Sequence, residues 1–376
     1  MQSRAPTPLA ELLAARIRAS GPMPFAEYMR ECLYHPVHGY YAKAEVRRFA
    51  DFYTSVDVHP IFGRLLARQI AEMWERLERP AGFQLIEAGA GTGRLAAQVL
   101  DLARRALPDF YRAVEYVAVE RSEARRPRLR AALGPHAAAG HAKVAAEMPR
   151  EIALGCVLSN ELLDALAVHR VVMEAGVLRE ICVGCEDRGL VEVRAPLSTC
   201  AISEYFATQG IVLRDAQQAE AGLEACEWVE EMGRRLRRGF VLTIDYGHQA
   251  AELYDERHMR GTLLAYRQHR ASEEYCAAPG EQDLTAHVNF TALETWGKRS
   301  GLERLGLVSQ AQFLMALGRA NEFADLYEEG QGESEKIRAR LMLKTLIFPE
   351  GMGETFRVLI QGKDVGSAKL TGLESF

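Results

Sequence analysis

The chain has 376 residues, 48% of them hydrophobic and 26% charged, which is ample for a well-buried core. Its formal net charge is −5 and no long basic run occurs, which argues against the clustered positive footprint of a nucleic-acid grip. Seven cysteines, odd in number and irregularly spaced, point to a reducing compartment rather than a disulfide framework. Cys182 and Cys185 form a lone C-x-x-C with no second pair to complete a zinc site, so two residues of an apolar strand are expected there. No stretch approaches the ~18–20 apolar residues of a membrane span. No secretory apolar region follows Met1. Residues 9–18 carry Glu11 and no serine, and are expected to form the first helix of the fold rather than a transit peptide. A cytoplasmic location is expected.

In chain order, Leu9, Leu12, Leu13 and Ile17 fall on one face of a short helix, and Phe25, Met29 and Leu33 on one face of a second. The segment His35-Pro36-Val37-His38-Gly39 interrupts with turn chemistry. A third helix starts near His59, with Pro60 suited to its first turn, and Pro80-Ala81-Gly82 ends it. Residues 1–80 are thus expected to form an N-terminal helical cap region.

From residue 81 the texture changes. Phe83 to Glu87 is an apolar run feeding a glycine loop, and a helix follows from Arg94 to Leu107. Tyr116 to Glu120, Ile152 to Ser159 and Gly239 to Ile244 are further runs of this kind, each ending in polar residues. Strands apolar throughout and alternating with helices imply a parallel sheet covered on both faces. Residues 168–200 differ, since Val168–Val172, Leu178–Val183 and Leu190–Val193 have the texture of a β-rich antiparallel insertion. Residues 311–347 form a helical insertion, and Leu302–Leu307 with Phe356–Ile360 complete the sheet.

The discriminating segment is Glu87-Ala88-Gly89-Ala90-Gly91-Thr92-Gly93-Arg94. A strand turns through three glycines directly into a helix, which lets a ligand approach the backbone closely. A dinucleotide loop reads G-x-G-x-x-G, and the place of its late glycine is held here by Arg94. Glu87 stands two positions before the first glycine, where a carboxylate repels a pyrophosphate but attracts the cationic amine of a methionine moiety. The pattern E-x-G-x-G-x-G therefore points to S-adenosyl-L-methionine over NAD. Glu120, at the carboxyl end of the next strand, is placed to accept hydrogen bonds from both ribose hydroxyls.

Open parallel sheets bind ligands beyond the carboxyl ends of their strands. The fourth strand ends in Ser159-Asn160-Glu161-Leu162-Leu163-Asp164. Asn160 can accept from an amine or amide nitrogen, and Glu161 with Asp164 can clamp a guanidinium, whose planar fork of donors suits carboxylates. The competing interpretation is helix capping, with Asn160 as N-cap and Asp164 in the first turn. Asp245 and Tyr246 end the fifth strand and are candidates for the same mouth. His287 is a candidate proton acceptor, though a structural role suits it better. His35 and His38 lack a third ligand at metal-binding spacing, so no metal is expected.

These residues resemble those of the MidA family of class I methyltransferases. The resemblance runs through Tyr34-His35-Pro36, Gly39-Tyr40-Tyr41, Asp51-Phe52-Tyr53-Thr54-Ser55 and Pro60-Ile61-Phe62-Gly63. It continues through the glycine loop, Val119-Glu120-Arg121-Ser122, Ser159 to Leu166, Ile244 to Gly247 and Asp283 to Val288. The family implies a Rossmann-like, seven-stranded, mostly parallel sheet and S-adenosyl-L-methionine as cofactor. It implies cofactor positions at Glu87, Gly89, Gly91, Gly93 and Glu120, with Thr54 and Ser55 in a segment folding over the cofactor. It also implies a reactive strand end at Asn160, Glu161 and Asp164. Mitochondrial members assist assembly of respiratory complex I by methylating an arginine, which implies a protein substrate and, for a eukaryotic source, a matrix location. Ala50, Val56, Asp57 and Ala167 replace the family's usual glycine, proline, glutamate and proline, and bear on substrate choice. Three alternatives stand beside protein-arginine methylation: another acceptor on the same cofactor site, an assembly factor that binds cofactor without transfer, and an NAD oxidoreductase disfavoured by Arg94.

Overall fold

The computed structural model describes residues 6–42, 54–187, 189–267, 270–328, 330–349 and 351–375. Ala50 and the motif residues Asp51, Phe52 and Tyr53 lie outside the described residues. The chain divides into two compact units. One comprises Tyr53–Leu162, Val229–Tyr246 and Trp296–Phe376, and the other Met1–Phe52, Leu163–Trp228 and Gly247–Thr295.

The first unit is built on seven strands, β1 (Phe83–Ala88), β2 (Val114–Val119), β3 (Ala142–Ala145), β4 (Ile152–Asn160), β5 (Leu236–His248), β6 (Glu303–Ser309) and β7 (Phe356–Lys363). Their order across the sheet is β6-β7-β5-β4-β1-β2-β3, and only β7 runs antiparallel to its neighbours. The expected seven-stranded, mostly parallel sheet is therefore present. Cys156, Val157 and Leu158 are all fully buried, as a strand covered on both faces requires.

Helix α1 (Ser55–Val58) is a single turn with no periodic signature. Helix α2 (Ile61–Arg76) buries Ile61, Phe62, Leu65, Leu66, Ile70 and Met73 completely, one apolar stripe packed into the main core. It stops four residues before Pro80, where Glu78 and Arg79 take left-handed backbone and Trp74 Nε1 donates to the Pro80 carbonyl at 2.8 Å. Helices α3 (Arg94–Ala106) and α4 (Arg126–Ala138) follow β1 and β2. Helices α5 (Gln310–Ala320) and α6 (Glu333–Ile347) lie between β6 and β7. Ser309 caps α5 by accepting from the Gln312 amide at 3.2 Å. Strand order reverses at β1 and β4, so the carboxyl ends of β1, β2 and β4 form the switch point where open α/β sheets bind ligands.

In the second unit, helices Pro8–Ser20 and Phe25–Tyr34 bury Leu9, Leu13, Ile17, Phe25, Met29 and Leu33 in a core of their own. Strands His169–Glu174, Val177–Glu186 and Gly189–Ala195 form an antiparallel ladder. Met23–Pro24 and Gln218–Ala221 extend it. Cys182 and Cys185 both lie on its strand Val177–Glu186.

Candidate active site

Strand β1 ends at Ala88, and the backbone then turns through Gly89, Gly91 and Gly93, whose φ values are 75°, 55° and 81°. The amides of Gly89 and Ala90 donate to the Val119 carbonyl at 3.0 and 2.9 Å, so the end of β2 holds the loop in place. Gly93 serves as N-cap of α3, and a Cβ there would stand 2.6 Å from Leu129 Cδ1. The Gly91 amide donates to Glu120 Oε2 at 3.0 Å, and the Ser122 amide to Glu120 Oε1 at 2.7 Å. Each carboxylate oxygen of Glu120 keeps a second acceptor position, enough for a pair of vicinal hydroxyls. Replacing Glu120 with glutamine keeps the shape but removes the charge that strengthens those bonds. S-adenosyl-L-methionine affinity measured by calorimetry should drop roughly ten- to a hundredfold, with NAD showing no saturable binding to either protein.

Glu87 is buried, and the Tyr116 hydroxyl donates to its Oε2 at 2.8 Å. Burial pushes its carboxyl up to about 7, the Glu120 charge adds to this, and the Tyr116 hydrogen bond opposes it. The group is therefore partly protonated at neutral pH, not the standing carboxylate that a strand-end acid suggests. In the unfolded chain an ordinary glutamate ionises near ~4.3. Through this group the ligand-free fold loses stability as pH rises through about 7. A cationic ligand beside it favours the ionised form. Cofactor affinity should then strengthen as pH rises from about 6 to 8 and level off above, with Glu87→Gln flattening that part of the titration. A flat native profile would remove Glu87 from contact with the cofactor's charge.

At the end of β4 the backbone of Glu161 is left-handed, with φ of 51°, an uncommon conformation for a residue with a side chain. Backbone and side-chain contacts hold it there. The Glu161 amide donates to the Ile244 carbonyl at 2.9 Å, and the next amide, Leu162, donates to Asp245 Oδ2 at 3.2 Å. Asp245 is wholly buried, and its Oδ1 accepts from the Tyr246 amide at 3.0 Å. Glu161 Oε1 accepts from the Ser55 amide at 3.1 Å and from Asn160 Nδ2 at 3.3 Å. Asn160 Oδ1 is buried and finds no partner among the described residues. The capping interpretation fails here: Asn160 is the last residue of β4, and the chain continues into a single 3-10 turn, Leu163–Ala165, rather than an α-helix.

Helix α1 presents Ser55 to Glu161. The Ser55 hydroxyl, fully buried, donates to Gln310 Oε1 at 2.9 Å, and Thr54 Oγ1 donates to Asp57 Oδ2 at 2.9 Å. Asp57 forms a salt bridge with Arg94 at the start of α3, and Gln98 Nε2 donates to the Val56 carbonyl at 3.1 Å. Arg94 and Asp57, one occupying a glycine place and the other a glutamate place, thus secure α1 over the glycine-loop helix. Asn160 and Glu161 are brought together, and the glycine loop is joined to Glu120. Asp164 belongs to the second unit, where it is buried and its carbonyl accepts from the Ala286 amide at 3.0 Å. His287, in that same unit, lies 5.3 Å from His248 and 6.4 Å from His258 between ring centres. Burial and those two rings pull it down to about 4, so it is neutral at physiological pH. The Ser55–Glu161 contact had no signal in the sequence, because it joins residues 106 positions apart.

A parallel sheet of this strand order, with a glycine cradle at its switch point and an acid closing the cradle from β2, defines a class I S-adenosyl-L-methionine-dependent methyltransferase. The cradle backbone and the remaining acceptor positions of Glu120 fit such a cofactor. The comparisons agree. Residues 65–308 match the family model described as "Putative S-adenosyl-L-methionine-dependent methyltransferase". A Burkholderia thailandensis crystal structure bound to S-adenosyl-homocysteine is 31% identical, with a TM-score of 0.86 over 98% of this chain and 97% of that one. The Drosophila melanogaster protein arginine methyltransferase NDUFAF7 homolog is 29% identical, the match spanning 96% of this chain and 86% of the relative. The Bos taurus protein arginine methyltransferase NDUFAF7 is 28% identical across 94% of this chain and 83% of its own length. The chain belongs to the MidA family of class I methyltransferases, and its cofactor is S-adenosyl-L-methionine. Among the described residues no helix is long and apolar enough to cross a membrane.

Proposed function

We propose that this methyltransferase modifies an arginine side chain of a protein, with Glu161 holding the guanidinium. The observation that carries this reading is the Glu161 carboxylate at the end of β4, its backbone left-handed and its Oε1 accepting from Ser55 and Asn160. The Glu161 carboxylate can take a guanidinium N–H, and Asn160 Oδ1, buried and without a partner among the described residues, supplies a further acceptor. Glu87, Gly89, Gly91, Gly93, Glu120, Thr54 and Ser55 are the residues this reading gives to the cofactor.

The bound cofactor supplies an activated methyl on a sulfonium. The chain's own residues need chiefly to orient the acceptor nitrogen in line with it and to exclude water. A strong base before transfer is unnecessary, since the nitrogen becomes more acidic as it is alkylated, and a carboxylate beside the guanidinium stabilises the cation throughout. The names of the curated relatives, protein arginine methyltransferases, support the acceptor class. The family resemblance extends the proposal to a subunit of respiratory complex I, in the cytoplasm of a bacterium or in the mitochondrial matrix.

The test uses radiolabelled cofactor with extract from a strain lacking the enzyme, followed by hydrolysis of the labelled protein. Methylarginine is the expected product. Label on another residue type, or only on a small molecule, overturns the acceptor assignment.

A further inference from the structure

Residues 121–130 contain Arg121, Arg125, Arg126, Arg128 and Arg130 with a single acid, Glu123, in a chain of net charge −5. Too short to register as a long basic run, this segment forms the turn after β2 and the first turns of α4. Arg121, Arg128 and Arg130 are exposed, and among the described residues none of the three forms an ion pair. Arg126 is different: its Nη1 donates to the carbonyls of Glu120 and Arg121 at 3.3 and 2.9 Å and so secures the turn after β2.

The arrangement opposes local stability. Four of the arginines fall at the N-cap and in the first two turns of α4, against the positive end of its dipole. Arg126 and Arg130 stand four residues apart, a like-charge pair on one helix face. Elsewhere in the same unit Arg79, Arg104, Arg105 and Arg112 each have an acidic partner, while Arg150, Arg299 and Arg338, exposed singly, form no ion pair among the described residues. A concentration of arginine at a helix N-terminus, three of whose exposed members form no ion pair among the described residues, calls for a partner that offsets its charge.

We propose that this patch docks an acidic segment of the methyl-accepting protein. The inference rests on the protein-acceptor reading above. Its position suits that role: Glu120 directly follows β2 and Asn160 ends β4, with β1 between the two strands. Two strand spacings separate those ends, about 10 Å along the sheet edge, which about three extended residues span. An acceptor arginine at Glu161 therefore leaves flanking residues within reach of the patch. An acidic protein segment is favoured over nucleic acid because the rest of the chain is acidic and would repel a long phosphate backbone.

A fluorescent deca-glutamate peptide titrated into the intact protein should bind saturably at low ionic strength and weaken steeply with added salt. Arg121→Ala/Arg128→Ala/Arg130→Ala should reduce that affinity about tenfold or more, and lysines at the same positions should restore most of it. Arg128→Ala/Arg130→Ala spares the residue beside Glu120 and should weaken peptide binding with S-adenosyl-L-methionine affinity unchanged. In extract, the double variant should raise KM for the labelled protein and leave kcat as it is. Absence of saturable peptide binding, or equal affinity in the triple variant, overturns the patch. Tighter binding of a single-stranded RNA of equal charge overturns the choice of an acidic protein segment. Failure to label any protein in extract counts against the protein-acceptor reading, while the peptide titration still decides the patch.

Discussion

Replacing Gly91 with valine is expected to abolish S-adenosyl-L-methionine binding in calorimetry while circular dichroism and the thermal transition stay close to native. Gly91 has φ of 55°, where a β-branched residue is a true outlier costing about 1–3 kcal/mol. The loop can relieve that strain only by rotating its backbone, and rotation withdraws the Gly91 amide from Glu120 Oε2, now 3.0 Å away. Both consequences fall on the cofactor cradle and neither on the core. Gly93 offers the contrast. Its Cβ would meet Leu129 Cδ1 at 2.6 Å and also approach Ala132, so valine there pushes α3 and α4 apart and lowers thermal stability itself. Gly91→Val that is folded and binds the cofactor within tenfold of native would place the cradle elsewhere.

The difference between those two glycines illustrates what was legible in the sequence. Strands β1, β2 and β4 announce themselves as apolar runs ending in polar residues because a sheet covered on both faces leaves no room for alternation. The E-x-G-x-G-x-G spacing is legible because a tight turn and close ligand approach constrain consecutive residues. Contacts between distant residues leave no such trace. Helix α1 is four residues long and is held by Arg94, Gln98 and Gln310, so no periodicity marks it. Met23–Pro24 joins the antiparallel ladder with only two residues, below any strand signature. The partial protonation of Glu87 depends on burial and on Tyr116 across a neighbouring strand, neither visible from a lone acidic letter. Asn160 resembles a helix cap in sequence because Asn with an acid four residues on imitates one; Asp245 takes the Leu162 amide instead.

Glu161→Gln should cut methyl transfer by about two orders of magnitude or more and leave S-adenosyl-L-methionine affinity nearly intact. The substitution is unusually clean in this structure. A glutamine Oε1 can still accept from the Ser55 amide and from Asn160 Nδ2, so the left-handed backbone and the position of α1 are retained. The negative charge is what the substitution removes. A guanidinium meeting an amide there keeps one neutral contact in place of a charge-assisted pair and is poorly held in line with the methyl. The loss should appear in kcat, since the interaction matters most in the aligned complex, and the cofactor site formed by the glycine loop and Glu120 is untouched. Thermal stability within a few degrees of native would show that the Ser55 anchor survives. The measurement uses labelled cofactor with extract lacking the enzyme, comparing methylarginine formed per enzyme molecule. Transfer at the native rate by the Glu161→Gln protein would remove Glu161 from the mechanism, and a parallel loss of cofactor affinity would make it a structural support of the cradle instead.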